Sequence, residues 1–331
     1  MTILNGIEID VVDPPFDEIR SAILHNDPIE GKLHCICVIS NPCQFARRYI
    51  LAREFVKRMA SEPNIILYVV ELAYMDQKFY VTDANNKRHL QIRGEVPIWH
   101  KENMINMAVR TLLPASWKAF AWIDADIEFE STTWASDALR VLNGCKDVIQ
   151  LFSHAIDMDK NKDAMSIFPS FGFQYAKRRE RGRSGVNMWH PGFAWAMTRR
   201  AFDKIGGLYE YSILGAGDHN MAHSFIGKGL DSLNEATTSE YKESLIEFEA
   251  NAKTLRLAYV PGVIRHHFHG SKKNRKYAER WQILVKYEYK PNEHIRRRKD
   301  GLLVPTTSCP AGLLEEIRQY FAVRNEDEGF I

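Results

Sequence analysis

Three short segments hold residue types at spacings that could do chemistry. In Trp122-Ile123-Asp124-Ala125-Asp126-Ile127, two carboxylates one residue apart close an apolar run. Acidic side chains at the end of a strand need a partner, and a hard divalent cation that completes its shell with phosphate oxygens is one that fits; a solvated turn is the alternative. In Leu214-Gly215-Ala216-Gly217-Asp218-His219, glycines permit close approach of a ligand, and the apolar run that follows predicts a helix with Asp218 near its N-terminus. Asp218 is there either a general base or only a helix cap. The third segment, Ile264-Arg265-His266-His267-Phe268-His269-Gly270, places three histidines in four positions, and neutral imidazole is a common metal ligand. If this segment is extended, His267 and His269 share one face and His266 takes the other, so at most two should reach one ion. Just beyond it, Lys272, Lys273 and Arg275 are suited to neutralise a diphosphate leaving group, or else form a basic surface loop.

Those segments need a scaffold. Leu33–Ser40 reads as a buried strand leaving the sheet at Asn41-Pro42, Ala46–Met59 as a helix stopped by Ser61-Glu62-Pro63-Asn64, and Ile65–Glu71 as a second strand. Further strands are expected at Ala119–Ile123 and Asp147–Phe152, with a helix over His100–Leu113 between the second and third strands. Strands alternating with helices predict an α/β fold with a mainly parallel central sheet in a single catalytic domain. Asp157–Asn187 reads as a mobile loop that ends in the basic run 177–183. The expected division is a catalytic domain over 1–282 and a C-terminal appendage over 283–331 packed on it.

Composition excludes several classes. The chain has 331 residues, 44 Lys+Arg against 42 Asp+Glu and 45% hydrophobic residues, which is the profile of a folded globular protein rather than a disordered one. The longest apolar stretches, such as Ile65–Val70, fall far short of the ~20 residues a membrane helix needs, so no membrane span is expected. The first residues lack the basic start and apolar core of an export signal, and a cytoplasmic location is expected. The 5 cysteines lack zinc-ribbon spacing and read as free thiols, most of them buried.

The order of motifs resembles the GT-A fold glycosyltransferases that use nucleotide sugars, in particular the β-1,4-galactosyltransferase-like and family 2 inverting enzymes. The anchors run from about Leu33 to Trp281. Trp99-His100-Lys101-Glu102-Asn103 is similar to the family's aromatic and basic donor segment, Trp122–Ile127 to its Asp-x-Asp metal motif, and Gly215-Ala216-Gly217-Asp218 to its catalytic loop. Phe193–Leu208 looks like the segment that leads to that loop. The resemblance implies a UDP-sugar donor and Mn²⁺ or Mg²⁺ held by Asp126 and His269, with Asp124 assisting and His267 as the second choice of histidine. It implies Asp218 as the catalytic base, and a donor bound by Asn41, Trp99, Lys101, Asn106, Asp124, Gly192 and Lys273. Trp99 would face the base and Lys101 a phosphate. His190 and His219 are carried over to the acceptor side; His219-Asn220 stand where the family has carboxylates that grip a sugar.

The acceptor must be read from charge. The basic runs 177–183, 272–276 and 296–299 concentrate positive charge in a nearly neutral chain, which suits a polyanion. Cytoplasmic GT-A enzymes of phages and some eukaryotic parasites glycosylate hydroxymethylated bases in DNA, so resemblance to that group makes a hydroxymethylated pyrimidine in DNA a candidate acceptor, flipped from its stack. Saccharide, lipid-linked and protein acceptors are the alternatives. So are two other classes: a sugar nucleotidyltransferase, and a nucleic-acid-binding protein without catalysis.

Overall fold

The computed structural model describes residues 31–143, 146–181, 188–277 and 279–329, and the backbone of a hairpin made of β1 (Thr2–Leu4) and β2 (Ile7–Ile9). The first strand of the main sheet is β3 (Leu33–Ser40). Its positions Leu33, Cys35, Cys37 and Ile39 enter one apolar cluster and Ile36 enters another, so it is covered on both faces. Parallel to it run β4 (Ile65–Tyr74) on one side and β6 (Ala119–Ile123) on the other, and β5 (His89–Gly94) extends the sheet beyond β4, again parallel. On the far side of β6, β11 (Ala194–Thr198) is antiparallel, followed by β8 (Val148–Gln150), antiparallel to β11, and β12 (Leu257–Tyr259), parallel to β8. The order β12-β8-β11-β6-β3-β4-β5 is a seven-stranded, mainly parallel sheet in an α/β fold, as the sequence predicts.

Side-chain size separates the two faces. From β6, Phe120 and Trp122 point into one core, where Trp122 stacks on Trp195 with ring centroids 6.3 Å apart. Ala119, Ala121 and Ile123 point into the other, where the helices Ala46–Ala60 and Trp134–Leu142 pack. The helix Lys101–Thr111 covers the first face with Met104, Ile105 and Ala108 fully buried. Residues after 282 join that same core: Ile295, Leu303, Leu313, Ile317 and Phe321 belong to it.

A second sheet, in the order β10-β9-β13-β7, positions the site. Its strands are β7 (Ile127–Phe129), β9 (His154–Met158), β10 (Ala164–Pro169) and β13 (Val263–His266). The segment 157–187 therefore contains the strand β10 and the helix Phe171–Ala176, where the sequence predicts a loop throughout. The signal was weak because β10 is an edge strand with Ala164–Ile167 exposed, and so carries little apolar alternation. Cys35, Cys37 and Cys309 are buried free thiols and Cys43 is a half-buried one; Cys145 lies outside the described residues. Among the described residues, no helix is long and apolar enough to cross a membrane.

Candidate active site

The carboxyl ends of β3 and β6 open into a cavity of about 700 Å³, a size that suits a nucleotide-sized ligand. Asp124 and Asp126 follow β6 directly. The chain turns at Ala125, which separates the two carboxylates despite their spacing.

Asp126 faces histidines. β13 pairs antiparallel with β7 in a register that sets His266 against Ile127, and the ladder continues one step as His267 N–H donates to the Asp126 carbonyl at 2.8 Å. The side chains of Asp126, His266 and His269 consequently converge, with one ligand atom from each lying within 4.8 Å of the others. His269 Nε2 is 2.9 Å and His266 Nε2 is 3.9 Å from Asp126 Oδ2, and the two imidazole Nε2 atoms are 3.3 Å apart. Burial alone would push the Asp126 carboxyl up, but His269, His266 and Arg275 outweigh it and hold it well below the usual carboxylate range. Behind His266, β9 supplies Asp157 in parallel register with it, and Asp157 Oδ1 lies 2.6 Å from His266 Nδ1.

This corrects the alternation argument for the histidines. β13 ends at His266 and the chain bends after it, so His266 and His269 meet, while His267 turns to Glu128 at 3.3 Å. His267 is not among the residues that line the cavity.

Asp124 faces the other way. Its Oδ1 is 2.6 Å from Lys101 Nζ, which also contacts Asp218 Oδ2 at 2.8 Å. Lys101 is thereby held by two carboxylates rather than left free for a phosphate. Burial favours its neutral form, yet Asp124 and Asp218 keep it charged. Burial and the Asp218 charge push Asp124 up to about 6, against the pull of Lys101. Asp218 is the second residue of the helix Gly217–Phe225, and its Oδ1 is buried with no hydrogen-bond partner. That oxygen has no partner within the protein, and the residue borders the cavity.

The turn that presents Asp218 is strained and crowded. Ala216, a non-glycine residue, has φ +79°, and Phe193 across the cavity has φ +82°; both are in the left-handed region that side chains avoid. A Cβ on Gly217 would lie 2.2 Å from Glu102 Oε1, so only glycine fits there. Glu102 is 2% exposed, and burial together with the Asp218 charge pushes its carboxyl up to about 8.

Other expected residues divide between the cavity and the scaffold. Trp99 lines the cavity, stacked at 10° on Phe321 with Arg324 5.3 Å over its ring. His190, Gly192 and His219 line it beside Asp218; the His190 ring stacks on Phe193 at 4.4 Å, and burial pushes both His190 and His219 down to about 3, so both are neutral. Asn41 also lines it, but its amide is committed to the Phe45 backbone at 2.8 and 3.0 Å. Asn106 does not reach the cavity: it is 1% exposed and bonds Leu208 and Glu210, because the fourth and later positions of its helix lie against the core. Lys273 is also absent from the lining, where Lys272 and Arg275 stand instead. Of the basic runs, 272–276 borders the cavity, whereas in 296–299 Arg297 pairs with Glu210 and Arg298 with Asp300. The run 177–183 is described only to Arg181, which contacts Asp231 at 3.6 Å; residues 182–187 lie outside the described residues.

Sequence reasoning missed Arg48, Glu102, Asp157 and Glu326, and placed His266 on the wrong face. Of these only Glu102, next to Lys101, carried a local signal, a charge in the first turn of an otherwise buried helix.

No protein-family model and no curated protein sequence matches the chain. Among solved structures it is similar to the catalytic domain of Drosophila β-1,4-galactosyltransferase 7 in complex with xylobiose, at 9% identity over 86% of this chain and 98% of that one, TM-score 0.37. A mutant of that enzyme with manganese, UDP-Gal and xylobiose matches at 10% identity over 74% of each chain, TM-score 0.36. A protein of Desulfovibrio desulfuricans named for nucleotide-diphospho-sugar transfer matches at 13% identity over 87% of this chain and 98% of that one, TM-score 0.33. At such identities and scores the likeness assigns no residue a role, and the roles below rest on this chain's own geometry.

Proposed function

We propose that the chain is a metal-dependent inverting glycosyltransferase of GT-A type, moving a sugar from a nucleotide diphosphate sugar, in the first instance a UDP-sugar, to an acceptor hydroxyl. One observation carries the reading: a carboxylate and two histidines converge on one side of a cavity whose other side holds a carboxylate with a free oxygen. The donor set fits a divalent cation. Asp126 Oδ1 is buried with no hydrogen-bond partner, and the two Nε2 atoms face each other across a short gap that a shared cation would relieve. Asp126, His266 and His269 would hold Mn²⁺ or Mg²⁺, which when bound would supply charge stabilisation to the departing diphosphate.

The chain's own groups supply the rest. Lys272 and Arg275 line the cavity on the metal side, where they add positive charge for the diphosphate. Trp99 and Phe321 provide an aromatic wall for the base, with Arg48 in the same lining. Asp218 Oδ1 takes the proton of the acceptor hydroxyl as the acceptor oxygen forms its bond to the anomeric carbon and the bond from that carbon to the diphosphate breaks. The negative charge leaves on the nucleoside diphosphate. No covalent enzyme intermediate is required, and configuration inverts. A Cβ on Gly192 would come within 3.0 Å of His190 Cε1, so the glycine lets the backbone pass close to that ring.

A hydroxymethylated pyrimidine in DNA is the candidate acceptor that the basic run 272–276 suits by its place at the cavity, where Lys272 pairs with Asp157, while in 296–299 Arg297 and Arg298 pair with Glu210 and Asp300. Transfer to such DNA is expected to fall steeply between 50 and 200 mM salt, and salt-insensitive transfer to a small saccharide would replace DNA by a sugar acceptor.

The test is a thermal-shift screen of nucleotide sugars with and without Mn²⁺, followed by product analysis with the responding donor. A Mn²⁺-dependent rise for one donor, and loss of transfer in Asp218→Asn with donor binding retained, are expected. Undiminished transfer by Asp218→Asn would remove it as the base. Release of pyrophosphate from a nucleoside triphosphate would make the protein a nucleotidyltransferase.

A further inference from the structure

The far C-terminus reaches the metal ligands. After the helix Ala311–Val323 the chain doubles back over Gly270, where a Cβ would meet the carbonyls of Asn325 and Arg324 at 3.0 and 3.1 Å and the Glu326 Cα at 3.1 Å. Three consecutive acidic residues then bind neighbouring parts of the chain. Asp327 accepts the free N–H groups of Ala46 and Arg47 at 3.0 and 2.8 Å, capping the helix Ala46–Ala60, whose own N-cap residue Phe45 makes no side-chain cap bond. Glu328 accepts from Ser271 N–H at 3.2 Å and from the Asn274 amide at 3.1 Å.

Between them Glu326 is 1% exposed and points inward. Its carboxylate accepts from Arg48 Nε and Arg324 Nε, each at 2.8 Å, and its Oε2 stands 3.6 Å from His269 Nδ1. Burial would raise its carboxyl, but Arg48 and Arg324 hold it well below the usual range and ionised. The two histidines of the candidate metal site are thus treated alike: each turns Nε2 toward Asp126 and Nδ1 toward a buried carboxylate, Asp157 for His266 and Glu326 for His269. A carboxylate behind a ligating imidazole fixes its tautomer and orientation and makes it a better donor.

We propose that the strap Arg324–Glu328 is a working part of the metal centre, with Glu326 as the positioning residue for His269, so that cation binding and strap closure are one linked equilibrium. This rests on the reading of Asp126, His266 and His269 as a cation site. Because Arg324 also lies over Trp99, closing the strap shapes the donor wall in the same movement. Linkage runs both ways: whatever affinity the closed strap lends the cation, the cation returns to the strap.

The experiment uses the full chain and MnCl₂ alone. Isothermal titration is expected to show Mn²⁺ bound 10- to 100-fold more weakly by Glu326→Gln than by the wild type, with Glu128→Gln, beside His267, unchanged. A purely structural Glu326 would lower the metal-free melting temperature and leave the Mn²⁺ Kd as it was. Should Glu326→Gln not fold, two measurements still decide. Hydrogen exchange of residues 321–329 in the wild type is expected to slow on adding Mn²⁺, and not in Asp126→Asn. The double variant Asp327→Asn, Glu328→Gln, which frees the strap but keeps Glu326, is expected to weaken Mn²⁺ binding severalfold. Equal Mn²⁺ affinity in the strap variants and wild type, or exchange indifferent to Mn²⁺, overturns the proposal while the cation site stands. A wild type that binds Mn²⁺ no better than Asp126→Asn overturns the cation site itself.

Discussion

Replacing Lys101 by methionine removes a charge and keeps most of the volume. The ammonium is only 13% exposed and bridges Asp124 at 2.6 Å and Asp218 at 2.8 Å, so its loss leaves two buried carboxylates facing each other without a cation. Breaking one partner of a buried pair costs about 3–5 kcal/mol when the remaining charges cannot escape. Here they can escape by protonation, which sets the sign of the pH dependence. Asp124 is raised to about 6 even with Lys101 present, and without it that carboxyl rises further above its unfolded value near 4. A carboxyl raised on folding is stabilising below its unfolded pKa and loses that contribution as pH climbs through the folded pKa. The variant should therefore lie close to wild type near pH 5 and fall about 3 kcal/mol or more behind it by pH 8.5. Urea unfolding of metal-free protein at the two pH values measures this directly. A deficit equal at both, or under about 1 kcal/mol at pH 8.5, would show that Lys101 is an ordinary surface cation and would dissolve the link between Asp124 and the base.

Glu102→Gln tests the neighbouring carboxyl with a similar pH profile: Glu102 is pushed up to about 8, so the wild type loses stability as pH rises toward that value. The variant's melting temperature relative to wild type should then climb from pH 5 to pH 9, and a flat difference would refute the buried charge. Gly217→Ala places a methyl 2.2 Å from Glu102 Oε1, and overpacking of this kind should cost about 1–3 kcal/mol in urea unfolding; a neutral effect would mean the turn relaxes freely. His266→Ala should abolish the Mn²⁺-induced thermal shift, worth about 2.7 kcal/mol at a hundredfold excess over Kd, while His267→Ala should keep it. The opposite pattern would restore the alternation argument.

What was legible in the sequence was set by local rules. β3 and β6 have the bounds their apolar runs predict, since strands buried on both faces read as continuous hydrophobic stretches. The helix over Asp218 followed from its glycines and the apolar residues after it. Features that depend on register between distant strands did not show. Asp157 meets His266 because β9 and β13 pair in parallel over 109 positions of separation, which no local pattern encodes. Glu326 is further still: it stands in the acidic stretch Glu326-Asp327-Glu328, a pattern usual in a solvated tail, and is instead among the most buried charges of the described residues. His266 was misplaced by applying strand alternation past the end of a strand.

The turn at Ala125 explains how one short motif can serve both ends of a group transfer. Residues two apart on a continuous strand share a face, and both carboxylates would then crowd one partner. Breaking the strand at Ile123 sends Asp126 to the histidines of the candidate cation site and Asp124 to Lys101, which also holds Asp218, the proposed base. Lys101 occupies only Oδ2 of Asp218, so it fixes the carboxylate's direction and leaves Oδ1 to receive a proton. Asp124→Asn should therefore weaken transfer without touching the cation ligands, with Mn²⁺ affinity preserved and turnover reduced, whereas Asp126→Asn should lose both.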